Sequence, residues 1–296
     1  MITGFENIAT VLAAMEVMPA EDRDLSELLE SCGDPAKVAK LTESRDGPDG
    51  ELQRYVRTSI DRRRRNYWHE RLQQLAENYP TVTALLSIDA DYPFNLHQCY
   101  DRPPVIFVDG TLLPSDSRAL AIVGSRASGR DGDYIAHDIA YKLAKLGFAI
   151  ISGLAQGIDA AAHRGAIAAS GRSIAVLAHG IDHSIYPPQN NALAAALRMS
   201  GALVSQFKPG APPSASSFIL RNAVISGLAR ASLLIEGGER SGTRTEAEHA
   251  LRQGRTVLLW EPLIGAEPWA RWFAQQPEVH MVSAPHQVLR LLEAGL

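Results

Sequence analysis

The chain is poor in cysteine, with only Cys32 and Cys99 in 296 residues. Two thiols so far apart provide neither a disulfide framework nor metal-ligand spacing, and they suit a reducing compartment, so a cytoplasmic location is expected. No apolar run approaches the roughly 18 residues that a membrane-spanning helix requires, and the first residues lack the basic-then-apolar pattern of an export signal. No membrane partner is expected. An excess of basic charge is also missing: 29 Lys and Arg face 33 Asp and Glu, a net charge of −4. Nucleic acid would therefore have to be attracted by a local patch, because the whole chain offers no long-range pull. Aromatic residues make up 6%, and Phe207 and Phe218 are the two in loops that could stack a base. G-x-G-x-x-G is absent and no G-x-S-x-G follows a strand, so there is neither a dinucleotide fingerprint nor a nucleophile elbow. The 46% apolar and 21% charged content is that of a folded globular chain. Its length suits one large α/β domain and a small accessory one.

The chain is organised around residues 120–157. Leu120-Ala-Ile-Val123 is an all-apolar run ending at Gly124, the pattern of a parallel strand buried on both faces. From Asp133 onward, Ile135, Ile139, Leu143 and Leu146 recur at helical spacing until Gly147 closes the element. Phe148 to Ile151 is the next buried strand and ends in Ser152-Gly153. This is a βαβ unit, and its turn, Gly124-Ser125-Arg126, combines backbone amides with a hydroxyl and a fixed cation suited to a phosphate.

Residues 1–78 are expected to form a separate N-terminal helical domain. Ile8, Val11, Leu12 and Met15 form one apolar stripe, and Leu25, Leu28 and Leu29 begin a second after an acidic lead-in. A turn is expected over 46–50 and a single third helix from about Glu51 to Glu77, carrying Arg62 to Arg65 followed by Tyr67 and Trp68. That run reads as a solvated helix face or as an auxiliary nucleic-acid contact. Tyr79-Pro80 breaks the helix. Thr83 to Ile88 and Val105 to Val108 are expected as extra strands on one edge of the main sheet, with prolines at their ends.

From residue 120 buried strands recur, at 120–123, 148–151, 174–177, 203–205, 232–235, 256–260 and 279–282, with helical segments between most of them. Such alternation implies an α/β fold with a doubly wound, mostly parallel sheet, extended and Rossmann-like over residues 79–296. Ligands of such sheets bind beyond the carboxyl ends of the strands. The loops at those ends hold Gly124-Ser125-Arg126, Gly153 with Gln156 and Gly157, Arg221 with Asn222, and Arg240-Ser241-Gly242-Thr243. Arg126, Arg221 and Arg240 could converge on one mouth, where successive phosphates would meet guanidinium groups and backbone amides. Asp159 and His163 stand four apart on a helix, as a cap and a packed side chain or as an acid/base or metal pair. His179 and His183 lack the further ligands of a zinc site, and no metal or cofactor is expected.

The ordered series of motifs resembles the DprA/Smf family of DNA-processing proteins. It comprises Tyr92-Pro93, Pro103-Pro-Val-Ile-Phe-Val-Asp-Gly110, Ala121-Ile-Val-Gly-Ser-Arg126, Ile151-Ser-Gly-Leu-Ala-Gln-Gly-Ile-Asp-Ala-Ala-Ala-His163, Gly171-Arg-Ser-Ile-Ala-Val-Leu177, Tyr186-Pro-Pro-Gln-Asn190, Arg221-Asn222, Ile225-Ser-Gly-Leu228 and Glu239-Arg-Ser-Gly242. The resemblance implies an extended Rossmann-like fold that is not catalytic. It also implies single-stranded DNA in a positively charged pocket, a homodimer, and delivery of a RecA-type recombinase to the strand during DNA uptake and transformation. By motif match, Gly124, Ser125 and Arg126 would hold backbone phosphate, with Arg221 and Asn222 beside them.

Two cations of the family pattern are replaced, by Gln156 in the second loop and by Ala223 after Arg221-Asn222. No winged-helix pattern follows the Rossmann-like region. Gly237-Gly238 with Ser241-Gly-Thr-Arg-Thr-Glu246 also resembles, with two extra residues and no proline, the glycine-rich signature of LOG-type phosphoribohydrolases. That resemblance implies an alternative, a nucleotide phosphoribohydrolase or nucleotide sensor in which Glu246 and Arg244 would act.

Overall fold

A computed structural model describes residues 4–18, 22–39, 48–238 and 241–294. The first helices are α1 (Phe5–Val17), α2 (Asp22–Cys32), α3 (Pro35–Ala39), α4 (Pro48–Ser59) and α5 (Arg62–Asn78). They are followed by β1 (Val82–Leu86), α6 (Phe94–His97), β2 (Val105–Gly110), β3 (Ala119–Val123), α7 (Arg130–Lys145), β4 (Ala149–Ser152), α8 (Ile158–Ala168) and β5 (Ser173–Val176). The remainder is α9 (Asn191–Ser200), β6 (Ala202–Ser205), α10 (Ala215–Leu228), β7 (Ala231–Leu234), α11 (Gly242–Arg252), β8 (Thr256–Trp260), α12 (Glu261–Ile264), α13 (Pro268–Phe273), β9 (Val279–Val282) and α14 (Pro285–Glu293).

One long helix was expected across residues 51–77, and the structure divides it. Asp61 takes extended backbone and accepts a hydrogen bond from the Arg64 amide at 2.7 Å, capping a new helix. An Asp before a helix-forming run gives its first turn an acceptor that a continuous helix would leave unused. Part of the expected turn at 46–50 is also helical, since Pro48 opens α4, where a missing amide hydrogen costs nothing; residues 46 and 47 lie outside the described ones.

The strands form a nine-stranded sheet in the order β1-β2-β6-β5-β4-β3-β7-β8-β9. From β3 to β9 every pairing runs parallel, as does β5 with β6, while β1 and β2 add an antiparallel edge. The five residues of β3 are all buried, as their unbroken apolar run requires. The chain winds one way through β4, β5 and β6 and the other way through β7, β8 and β9. The winding reverses at β3, whose two neighbours are β4 and β7. A crevice therefore opens at the carboxyl ends of these central strands.

One face of the sheet is covered by α7, α8 and α14 through Ile139, Leu143, Ile158 and Leu292. The other is covered by α6, α10, α11 and α13 through Leu96, Val224, Ile225, Ala247 and Phe273. The N-terminal helices add a third body of apolar contacts. Leu12, Leu29, Trp68 and Leu72 join one cluster with Phe107 of β2, Leu203 of β6 and Leu197 of α9. Arg198 of α9 and Asp109 of β2 are ion-paired at this end.

Candidate nucleic-acid interface

At the reversal point lies a cavity of about 540 Å³. Its wall contains Gly124, Ser125 and Arg126 from the turn after β3, Arg221 and Asn222 from α10, and Ser241, Gly242 and Thr243 at the start of α11. Eight residues singled out in the sequence thus meet in one place. Arg240 lies outside the described residues.

Gly153, Gln156 and Gly157 take other places. Gly153 and Gln156 border a smaller hollow of about 60 Å³ beside the cavity, with Arg126, Tyr186 and Phe218. The amides of Gly153 and Ala155 donate to Asp159 at 3.2 and 3.3 Å, so this loop curls around its own carboxylate instead of offering those amides to a ligand. Asn190 donates to the Leu154 and Ala155 carbonyls, holding Leu154 at a positive φ of 57°. Gly157 has φ 72°, and a Cβ there would stand 2.3 Å from the Ser125 carbonyl. Its part is to let the second loop press against the first.

Arg221 is buried, and its Nη1 donates to the carbonyls of Gly153 at 2.5 Å and Val176 at 2.8 Å. A Cβ on Gly153 would stand 2.1 Å from that nitrogen, which is why the position takes glycine. Burial lowers the Arg221 pKa, opposed by the carboxyl groups of Asp159 and Glu246. The guanidinium therefore stitches the ends of β4 and β5 to α10 while forming part of the wall. Asn222 Nδ2 donates to the Gly242 carbonyl at 3.0 Å and ties α10 to the first turn of α11.

Arg126 is the cation at the mouth. Its guanidinium carbon stands 4.5 Å from the Phe218 ring centroid, and the Tyr186 ring lies 5.8 Å from that ring. An arginine over an aromatic face keeps its N–H groups at the rim for phosphate oxygens. Two rings beside it provide surface on which a base can stack. Phe207 does not line the cavity. Tyr186 went unremarked as an aromatic contact in the sequence, although the Tyr-Pro-Pro-Gln-Asn stretch marks a loop after a strand.

The cavity wall also includes Glu246, which is 1% exposed. Its Oε1 accepts from the Ser232 hydroxyl at 3.2 Å, while Oε2 is buried without a partner. Burial pushes its pKa up to about 8, against the pull of Arg221 and the Ser232 hydrogen bond. The carboxyl is thus mostly protonated at neutral pH and can donate. Ser241, at the N-cap of α11, makes no side-chain cap, and its Oγ is buried without a partner. Two unpartnered polar atoms in one wall mark a place where a ligand would satisfy them. Ser232 carried no signal of this role, being one hydroxyl in an otherwise apolar strand.

The Asp159–His163 pair is packed rather than open. His163 is fully buried with Nδ1 2.7 Å from the Ser173 hydroxyl, and burial lowers its pKa to about 3. His179 and His183 rings lie 5.2 Å apart, yet among the described residues no group of three or more His, Cys, Asp or Glu could hold a metal. No helix among them is long and apolar enough to cross a membrane.

The sequence matches the family described as DNA recombination-mediator protein A over residues 83–271. It is 39% identical over 216 residues to the protein Smf of Escherichia coli, covering 72% of this chain and 57% of that one. It is 38% identical over 180 residues to the DNA processing protein DprA of Bacillus subtilis, covering 59% and 60%. The chain thus spans a little under two thirds of these curated relatives. Its fold superposes on DprA of Streptococcus pneumoniae with a TM-score of 0.74 at 25% identity, covering 98% of each chain. DNA processing protein A of Helicobacter pylori, whose structure is described for its mode of single-stranded DNA binding, superposes with a TM-score of 0.63 at 20% identity over 72% of this chain and 96% of that one. From the parallel core with its reversal at β3 to the motif series along it, the chain belongs to the DNA recombination-mediator protein A family, the DprA/Smf proteins.

Proposed function

We propose that the chain binds single-stranded DNA at the carboxyl ends of β3 and β7. The observation that carries this reading is the joining, in one cavity mouth, of the Gly124-Ser125 turn, the Arg126 guanidinium and the face of Phe218. Phosphate is taken by amide and guanidinium donors, and a base by the rings, so affinity is sequence-tolerant and salt-sensitive. Gly124, Ser125, Arg126, Ser241, Gly242 and Thr243 are the direct contacts. Arg221, Asn222, Gly153 and Gly157 act by holding them, and Gln156 stands beside the hollow next to Arg126. In the same proposal the protein is a cytoplasmic homodimer without catalytic activity that protects the strand and loads a RecA-type recombinase onto it in DNA uptake. Membership of the family supports that wider role.

The test is a titration of labelled oligo-dT at two salt concentrations with duplex as competitor. Wild type should prefer the single strand. Arg126→Ala should lose about tenfold in affinity and about 0.7 from the magnitude of the salt slope, the value of one phosphate contact on a single strand. Unchanged affinity and slope would move the site elsewhere.

The buried carboxyl supports a second reading, a nucleotide phosphoribohydrolase or nucleotide sensor. Glu246 offers a protonated Oε2 inside a cavity large enough for a nucleoside monophosphate. This reading requires that a nucleoside monophosphate be cleaved or bound, with the effect lost in Glu246→Gln. Inertness of wild type toward all four monophosphates would eliminate it.

A further inference from the structure

The basic run on α5 has no part in the cavity, yet the loops that build the mouth hold that helix in place. The loop after β5 carries Asp182 and, four residues on, Tyr186. Arg71 of α5 donates to Asp182 Oδ2 at 3.1 Å, and the Tyr79 hydroxyl donates to the Asp182 carbonyl at 3.1 Å. The loop after β6 adds Lys208, whose ammonium lies 5.9 Å from the centre of the Trp68 ring. That loop runs on to Ser214, the cap of the helix bearing Phe218. The same two loops therefore present Tyr186 and Phe218 at one end and dock α5 at the other.

The four arginines of the run are not equivalent. Arg64 is paired with Glu16 at 2.9 Å and donates to the Ser59 carbonyl, and the Nε of Arg65 is buried. Arg62 and Arg63 are exposed, and Tyr67, one turn beyond Arg63, is 52% exposed with its ring held edge-on to Trp68. Arg63, Tyr67 and Arg71 stand at i, i+4 and i+8 and share one helix face. Packing needs neither an exposed tyrosine braced on a buried tryptophan nor an exposed arginine four residues before it. A strand does, because it offers phosphates and base faces in alternation.

We propose that the Arg63–Tyr67 face of α5 is a second contact for single-stranded DNA, engaged by the strand after it leaves the cavity mouth. Four residues of loop span at most about 14 Å, the Asp182–Arg71 side-chain pair adds at most about 13 Å, and the eight residues from Arg71 back to Arg63 rise about 12 Å, so Arg63 lies within about 40 Å of Tyr186 along this route. At stacked spacing that is at most about twelve nucleotides. Arg71, already paired with Asp182, anchors the helix, while Arg63 and Tyr67 make the contact. This inference rests on the single-strand reading above and extends it to the length of strand the protein holds.

The experiment measures binding of oligo-dT of about 4 and about 20 nucleotides to the full chain and to the Arg63→Ala/Tyr67→Ala variant. Both substituted side chains are exposed, and an unchanged melting temperature checks the fold. The expected result is equal affinity of variant and wild type for the short probe. For the long probe the variant should lose about tenfold, and the magnitude of its salt slope should fall by about 0.7. Arg63→Lys/Tyr67→Phe should recover most of the long-probe affinity. A variant that binds the long probe like wild type, or that loses the short probe equally, overturns the second contact. A wild type that binds neither probe overturns the single-strand reading itself.

Discussion

At the residue scale, the cavity turns on side chains whose charge the fold has altered. Three converging arginines would make an intensely positive mouth, but Arg221 is spent on two backbone carbonyls and faces the carboxyl groups of Asp159 and Glu246. Burial also raises the Asp159 pKa. Glu246 has a measurable consequence. Below its ordinary value of 4.5 the carboxyl is protonated in folded and unfolded chains alike, so it contributes no pH dependence. Between 4.5 and about 8 the unfolded chain ionises while the folded one keeps its proton, so stability falls as pH rises. Above 8 both are ionised and the penalty is complete. Glu246→Gln should therefore flatten the decline in melting temperature from pH 5 to pH 9, the variant gaining on wild type at the alkaline end. Parallel curves for the two proteins would show that the carboxyl is ionised when folded.

At the element scale, glycine-terminated apolar runs announced the parallel strands and the turns after them. The run 120–123 became β3 with one added residue, and Gly124-Ser125-Arg126 stands directly at its end. The second loop was less transparent. Its glycines resemble a phosphate turn, but local sequence cannot reveal that Asp159 takes the amides of Gly153 and Ala155 or that Gly153 makes room for a guanidinium. Both facts depend on partners four to 68 residues away. The break at Asp61 was legible in principle, since Thr58-Ser59-Ile60 are weaker helix formers than their neighbours and an aspartate preceding a helical run is a capping signal.

At the scale of the whole molecule, we propose a boundary between the helical segment and the sheet near residue 78, where Tyr79-Pro80 interrupts the chain. The two sides nonetheless share apolar contacts, since Leu72 of α5 is fully buried in the cluster that contains Phe107 and Leu203 of the sheet. Leu72→Ala should lower stability by about 2–5 kcal/mol and shift one common transition down by roughly 5–15 °C. Two separated transitions in calorimetry would show that the segment unfolds alone. The sequence by itself determined the strand series, the parallel α/β class, the family and the turn after β3, because those properties are written in short-range periodicity and in ordered motifs. Only the tertiary structure decided that Arg221 is buried and committed, that burial raises the Glu246 pKa, and that α5 is docked on the loops of the cavity mouth. Each of these depends on which distant groups close around a side chain, and hence on desolvation and on pairings that no local pattern encodes.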